Sequence, residues 1–146
     1  MALKRPREKT IDVTATKTGA GACDVKFEVD TGDLKFKNND GGNPRPGYIL
    51  YFDIDEPAGV DSRFHVSDPL WVQPFNSGSP IPCPSSPAYW DQFEVIGTIN
   101  DGKTLMVRNK NDYEQEFSFT LRFNVAGCTR VKECDPIGNN QNGQQR

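Results

Sequence analysis

The sequence predicts an all-β domain: a two-sheet antiparallel β-sandwich of immunoglobulin-like type, carrying a long proline-rich loop excursion. Three observations lead there. Residues 116–125 alternate without a break, so that Phe117, Phe119, Leu121, Phe123 and Val125 share one face while Glu116, Ser118, Thr120, Arg122 and Asn124 share the other. Successive side chains of a strand point to opposite faces, so this run predicts a strand with one face in the core and one in water. Second, shorter alternating runs recur about every 8–15 residues with turn chemistry between them, the pattern of a sandwich or barrel. Third, no segment of helical length sustains a 3.6-residue period free of Pro and Gly.

In chain order, Ile11, Val13 and Ala15 alternate with Asp12, Thr14 and Thr16 as a first strand, broken at Gly19–Gly21. Val25, Phe27 and Val29 form a second, and Leu34 and Phe36 a third. The short turn Asp30–Asp33 predicts that the second and third pair as a hairpin. Residues 38–47 are a loop by composition. Residues 48–55 are apolar on both faces at first and predict a central strand facing 117–125 across the core. The segment 56–91 holds most of the chain's 11 prolines. Within it Leu70–Gln73 reads as a short edge strand, where flanking prolines are tolerated, and residues 74–87 read as an irregular excursion. Loops of more than about 12–15 residues in a compact domain are usually functional or disordered. Phe93–Ile99, with Gly97 as a bulge, and Thr104–Asn109 predict a hairpin around Asn100–Lys103. A last strand is expected over Cys128–Glu133.

A chain of 146 residues suits one domain. The predicted organisation is a flexible leader at 1–9, a single sandwich domain at 10–137 and a polar tail at 138–146. Net charge is −3 and no basic stripe stands out, which speaks against nucleic acid as a partner. No apolar run approaches the roughly 20 residues of a membrane helix. The basic residues 1–9 are followed by no apolar stretch, so no secretory signal is read. Cys23, Cys83, Cys128 and Cys134 permit two disulfides in three connectivities, or free thiols. A single His and no Cys-x-x-Cys speak against structural zinc, and no cofactor is expected.

Residues 105–111 (Leu-Met-Val-Arg-Asn-Lys-Asn), 117–123 (Phe-Ser-Phe-Thr-Leu-Arg-Phe) and 135–139 (Asp-Pro-Ile-Gly-Asn) resemble small bacterial immunoglobulin-like β-sandwich proteins of unassigned function. The resemblance spans only 104–140. It implies a fold and no activity. The cysteines do not suit a central immunoglobulin disulfide, because neither of the two strongest strands carries one. Tyr113 is a candidate for a tyrosine corner or a packed surface tyrosine.

Three constellations are candidates for chemistry. Asp53, Asp55, Glu56 and Asp61 crowd one strand end and read either as a calcium-binding oxygen cluster or as a solvated acidic rim. His65, Ser67, Asp68 and Cys83 raise a small hydrolase or thiol-dependent enzyme, although no Gly-x-Ser-x-Gly elbow is present. Trp71, Phe75, Tyr89 and Trp90 lie in or beside the proline-rich segment. They read either as anchors of a partner surface, as a sugar-stacking platform, or as residues pinning the excursion to the sandwich. The leading expectation is a non-catalytic binding or assembly module acting through these four aromatics or an exposed sheet face. Its partner would be a protein or a second copy, with a carbohydrate as the alternative ligand.

Overall fold

The computed structural model describes residues 7–29, 35–37, 47–75, 84, 86–110, 115–134 and 137–141. Every regular element among them is a strand: β1 (Arg7–Lys17), β2 (Val25–Val29), β3 (Lys35–Lys37), β4 (Tyr48–Asp55), β5 (Ser62–Phe64), β6 (Leu70–Phe75), β7 (Phe93–Ile99), β8 (Thr104–Asn109), β9 (Gln115–Val125), β10 (Lys132–Cys134) and β11 (Ile137–Gln141). One sheet runs β2-β1-β4-β8-β7. The other is built on β9: β10 and β11 line one side of it, with β3 beyond β11, and β5 and β6 line the other. Neither sheet closes into a barrel, and the two pack as a sandwich.

The apolar alternation explains the packing. Ile11, Val13, Ala15, Val25, Phe27, Leu50, Phe52, Leu105 and Val107 bury from the first sheet against Phe64, Leu70, Val72 and the apolar face of β9. As the pattern of 48–55 anticipates, β4 faces β9: Phe52 meets Phe119 edge-on with centroids 5.9 Å apart. The β7–β8 hairpin and its bulge also follow the sequence. The register slips between Val95 and Gly97, and Asn100 and Asp101 take positive φ of 54° and 58°, a conformation that Asn and Asp tolerate better than other side chains.

Several expectations are corrected. The sheets are mixed, not purely antiparallel: β1 runs parallel to β4 and β3 parallel to β11. A period of two records which side chains are buried and is blind to strand direction, so this could not be read from alternation. The expected hairpin of the second and third strands does not form. β2 pairs with β1, whereas β3 joins the other sheet beside β11. Strands reach into both of the segments expected to be a leader and a tail. β1 begins at Arg7, whose amide donates to the Gly47 carbonyl (3.0 Å), inside the supposed leader. β11 spans Ile137–Gln141, four of whose residues fall in the expected tail at 138–146, and pairs with β9. The strand expected at 128–133 starts only at Lys132. Tyr113 lies outside the described residues.

The most informative correction concerns the polar face of β9. Ser118 and Thr120 are fully buried, and the Arg122 side chain is only 14% exposed. From Ser118 to Arg122 the face expected in water is covered, and Asn124 at its end stays exposed.

Candidate functional site

The cover comes from the proline-rich segment. Thr120 Oγ1 donates to the Pro84 carbonyl (2.6 Å), which puts Pro84 over the outer face of β9. The Val72 amide donates to the Ala88 carbonyl (2.9 Å) along the free edge of β6. Two residues further on, Trp90 drops between the sheets, its ring centroid 5.7 Å from Phe93 and 6.0 Å from Phe117. Pro84 and residues 86–90 therefore form a strap folded over the edge of β6. The proline in β6 fits this geometry. The Val72 N–H points away from β9, and Pro74 has the same phase, so no bond to β9 is lost by its missing donor.

On the outer face a polar node holds the strap down. Asp68 Oδ2 accepts from Trp71 Nε1 (2.7 Å) and from the Tyr89 hydroxyl (3.0 Å). Arg122 Nη1 donates to the Asp68 carbonyl (2.8 Å) and lies 3.5 Å from its carboxylate. Its guanidinium carbon sits 4.1 Å over the Trp71 ring, a cation–π placement. Arg122 Nε is 3.5 Å from Glu133 and makes no hydrogen bond. The Tyr89 hydroxyl is held above its ordinary pKa, first by its bond to Asp68, then by desolvation and the Asp68 charge, with Arg122 pulling the other way. It therefore stays protonated and donates.

These contacts sort the four predicted aromatics. Trp71 is 6% exposed and Trp90 9% exposed; both pin the strap, and Trp90 packs in the core while lining the groove beside β7. Tyr89 is 71% exposed and remains available. Phe75 pairs through its backbone with Glu116; its side chain lies outside the described residues. Asp68 and Arg122, which join Trp71 to Tyr89, are a link that spacing does not reveal.

The nucleophile constellation is arranged differently from a catalytic relay. Ser67 Oγ lies 3.4 Å from His65 Nδ1, but the same nitrogen accepts the Asp68 amide (3.1 Å). In a relay the carboxylate orients the imidazole; here the Asp68 carboxylate is turned to Trp71 and Tyr89. Cys83 lies outside the described residues.

The acidic rim is neutralised by a residue the sequence reading left out. Lys103 Nζ contacts Glu56 Oε1 (2.6 Å), Asp61 Oδ1 (2.8 Å) and the Ser62 carbonyl (2.7 Å). Asp53 accepts from Thr104 Oγ1 (2.6 Å). Among the described residues no His, Cys, Asp and Glu group is disposed to hold a metal ion. Burial alone would lower the Lys103 pKa; hydrogen bonds to Asp61 and Glu56, with their charges, override it and raise the value. The Lys103 bond and charge hold Asp61 below its ordinary value. Lys103→Met should cost about 2 kcal/mol in denaturant unfolding at pH 7, since Glu56 would be left half-buried without its cation. The lowered Asp61 pKa stabilises the fold above the unfolded carboxylate value and loses that contribution as pH falls through the folded one. The raised Lys103 pKa contributes below the unfolded lysine value and loses it as pH rises through the folded one. The gap between wild type and variant should therefore be widest between these limits and narrow at both extremes; a gap independent of pH would refute the network.

The two lateral openings of the sandwich differ. On the β2 side, the Cys23–Cys128 disulfide joins the turn after β1 to the turn after β9, with Cα atoms 4.9 Å apart. The exposed edge there is charged, with Lys26 paired to Glu28 at 2.8 Å. The side chains of Cys83 and Cys134 lie outside the described residues. On the β7 side, a groove of about 450 Å³ opens between β7 and the strap. Leu70, Val72, Trp90 and Phe93 line it, with Val66, Tyr89 and Val95 toward solvent. The exposed large hydrophobic residues among the described ones are Val66, Tyr89, Val95, Ile96 and Ile99. All five lie on β7 or around this groove. Val66, Val95 and the β7 edge were not singled out by sequence. Their signal, an apolar strand with no lysine or proline, is indistinguishable from that of a core strand.

No protein-family model matches this chain, and no curated protein matches it.

Proposed function

We propose that this chain is a non-catalytic binding module, an immunoglobulin-like sandwich whose groove beside β7 takes an extended apolar segment of a protein. The observation that carries this reading is that the five exposed large hydrophobic residues among the described ones all lie on β7 or line the groove beside it. Contiguous exposed apolar surface on a soluble domain commonly marks an interaction site. A protein segment is favoured over a sugar because, among the described residues, Tyr89 is the one largely exposed aromatic ring, while the groove is bordered by a strand edge that can bond an added backbone. The hydrolase alternative draws no support from His65, whose Nδ1 is taken by a backbone amide.

The test uses 8-anilinonaphthalene-1-sulfonate as an apolar probe. Tyr89→Ala should weaken its binding about tenfold, whereas Tyr89→Phe should retain most of it. Equal dye affinity for all three proteins would overturn the groove as the site.

A further inference from the structure

Among the described residues no strand pairs with the outer edge of β7, and that edge has a definite backbone phase. The Gln92 carbonyl accepts from the Lys110 amide, which makes Phe93 and Asn109 a non-hydrogen-bonded pair and Glu94 and Arg108 the bonded one. By alternation along β8, Arg108, Met106 and Thr104 bond to β7, while Val107 and Leu105 bond to β4. The Ile54 amide, bonded to the Lys103 carbonyl, fixes the same phase on the β4 side. The β7 residues opposite Val107 and Leu105 are Val95 and Thr98. Their N–H and C=O groups therefore face the open edge, and without the bulge they could not both do so, being three residues apart.

We infer that β7 is the seam of a symmetric dimer, in which it pairs antiparallel with β7 of a second copy, Val95 opposite Thr98 of the partner and Thr98 opposite the partner's Val95. This rests on the groove reading and names its occupant. Three observations favour a second copy. Phe93 shares this phase, but its amide already donates to the Trp90 carbonyl (3.0 Å); the bulge leaves Val95 and Thr98 as the two outward positions with an open amide, and these match each other when the strands are related by a two-fold axis between Ile96 and Gly97, so the edge is complementary to itself. In that register Glu94, the only charged residue of β7, faces Ile99 of the partner, and the two glutamates are not opposed. The edge also lacks the lysines, prolines and inward charges that guard free strands, in contrast to the Lys26–Glu28 edge of β2. The five exposed apolar side chains present on the order of 500 Å², a large share of the roughly 800 Å² per partner in a standard interface. In the paired state the inward side chains of the partner's β7 lie over the groove mouth.

Sedimentation velocity across a concentration series should give a reversible monomer–dimer equilibrium. Thr98→Pro removes an outward N–H and should shift the midpoint toward monomer by about tenfold or more, since the bond is lost twice per dimer. Ile99→Glu, at a residue 44% exposed, sets a carboxylate against the partner's Glu94 and should also yield monomer. Glu94→Lys added to Ile99→Glu should restore the dimer, a rescue that only this register gives. A wild type that stays monomeric at all concentrations, or a dimer that none of these variants shifts, overturns the seam. If the monomer still binds the anilinonaphthalene probe through Tyr89, the groove reading survives without the seam; if it does not, both fall.

Discussion

Replacing Cys23 and Cys128 together by serine is expected to lower the stability of the folded protein by about 4 kcal/mol. The bond joins residues 105 apart in sequence, so in the unfolded chain it removes the freedom of a loop spanning most of the domain. Chain-entropy reasoning assigns about 4.7 kcal/mol to a loop of 100 residues, and measured losses usually fall somewhat below such values. Position adds to length. The bond ties the turn between β1 and β2 of one sheet to the turn that follows β9 of the other, where no backbone ladder crosses between the sheets. A domain of ordinary stability, 5–15 kcal/mol, would lose a large fraction of its margin. Urea unfolding of the oxidised wild type and the double variant measures the difference. Reductant should lower the stability of the wild type by at least the difference that separates it from the double variant. A loss below about 1 kcal/mol would mean that the sheets are held by packing alone.

The sandwich was legible because its inner faces obey one rule. Wherever Val, Ile, Leu or Phe recur at every second residue, as in 11–15, 25–29, 48–52 and 117–125, the alternation carries the burial directly, and the hairpin at Asn100–Lys103 is written in local turn chemistry. Topology was not legible, because alternation is the same for a parallel and an antiparallel neighbour; hence β1 beside β4 and β3 beside β11 came only with the structure. The covered face of β9 was hidden for a different reason. Ser118, Thr120 and Arg122 look like solvent-facing residues, and what buries them is a strap far away in sequence whose prolines carry no period at all. The same strap explains the aromatics. Trp71 and Trp90 drew notice as large residues in an irregular segment, and large residues in such a segment are the ones that hold it down. The exposed β7 edge was missed because Val95, Ile96 and Ile99 have the composition of a core strand; exposure there is decided by strand order, with β7 placed last in its sheet.

Phe123→Ala should cost about 4 kcal/mol, the largest effect expected from a single core substitution. Phe123 is fully buried and stacks on Phe27 of the opposite sheet with centroids 4.0 Å apart and planes within 3°. It also lies 5.0 Å from Phe64. Its backbone is flanked on both sides, by Phe64 of β5 and Lys132 of β10. Truncation would therefore open a cavity whose walls are held by three strands, and sites that cannot collapse pay most for lost side-chain volume. Phe123→Leu, which keeps much of the volume, should cost no more than about 1.5 kcal/mol. Asn124→Ala, one residue along on the exposed face, should change stability by less than about 0.5 kcal/mol. At this chain length the alanine variant should lower Tm by roughly 10–15 °C. The contrast between neighbours 123 and 124 is the discriminating quantity, because it isolates the buried face of β9 from its strand propensity. If the two alanine variants lost similar amounts, the core would be organised around another strand, and the Phe27–Phe123 stack would be incidental to holding the sheets together.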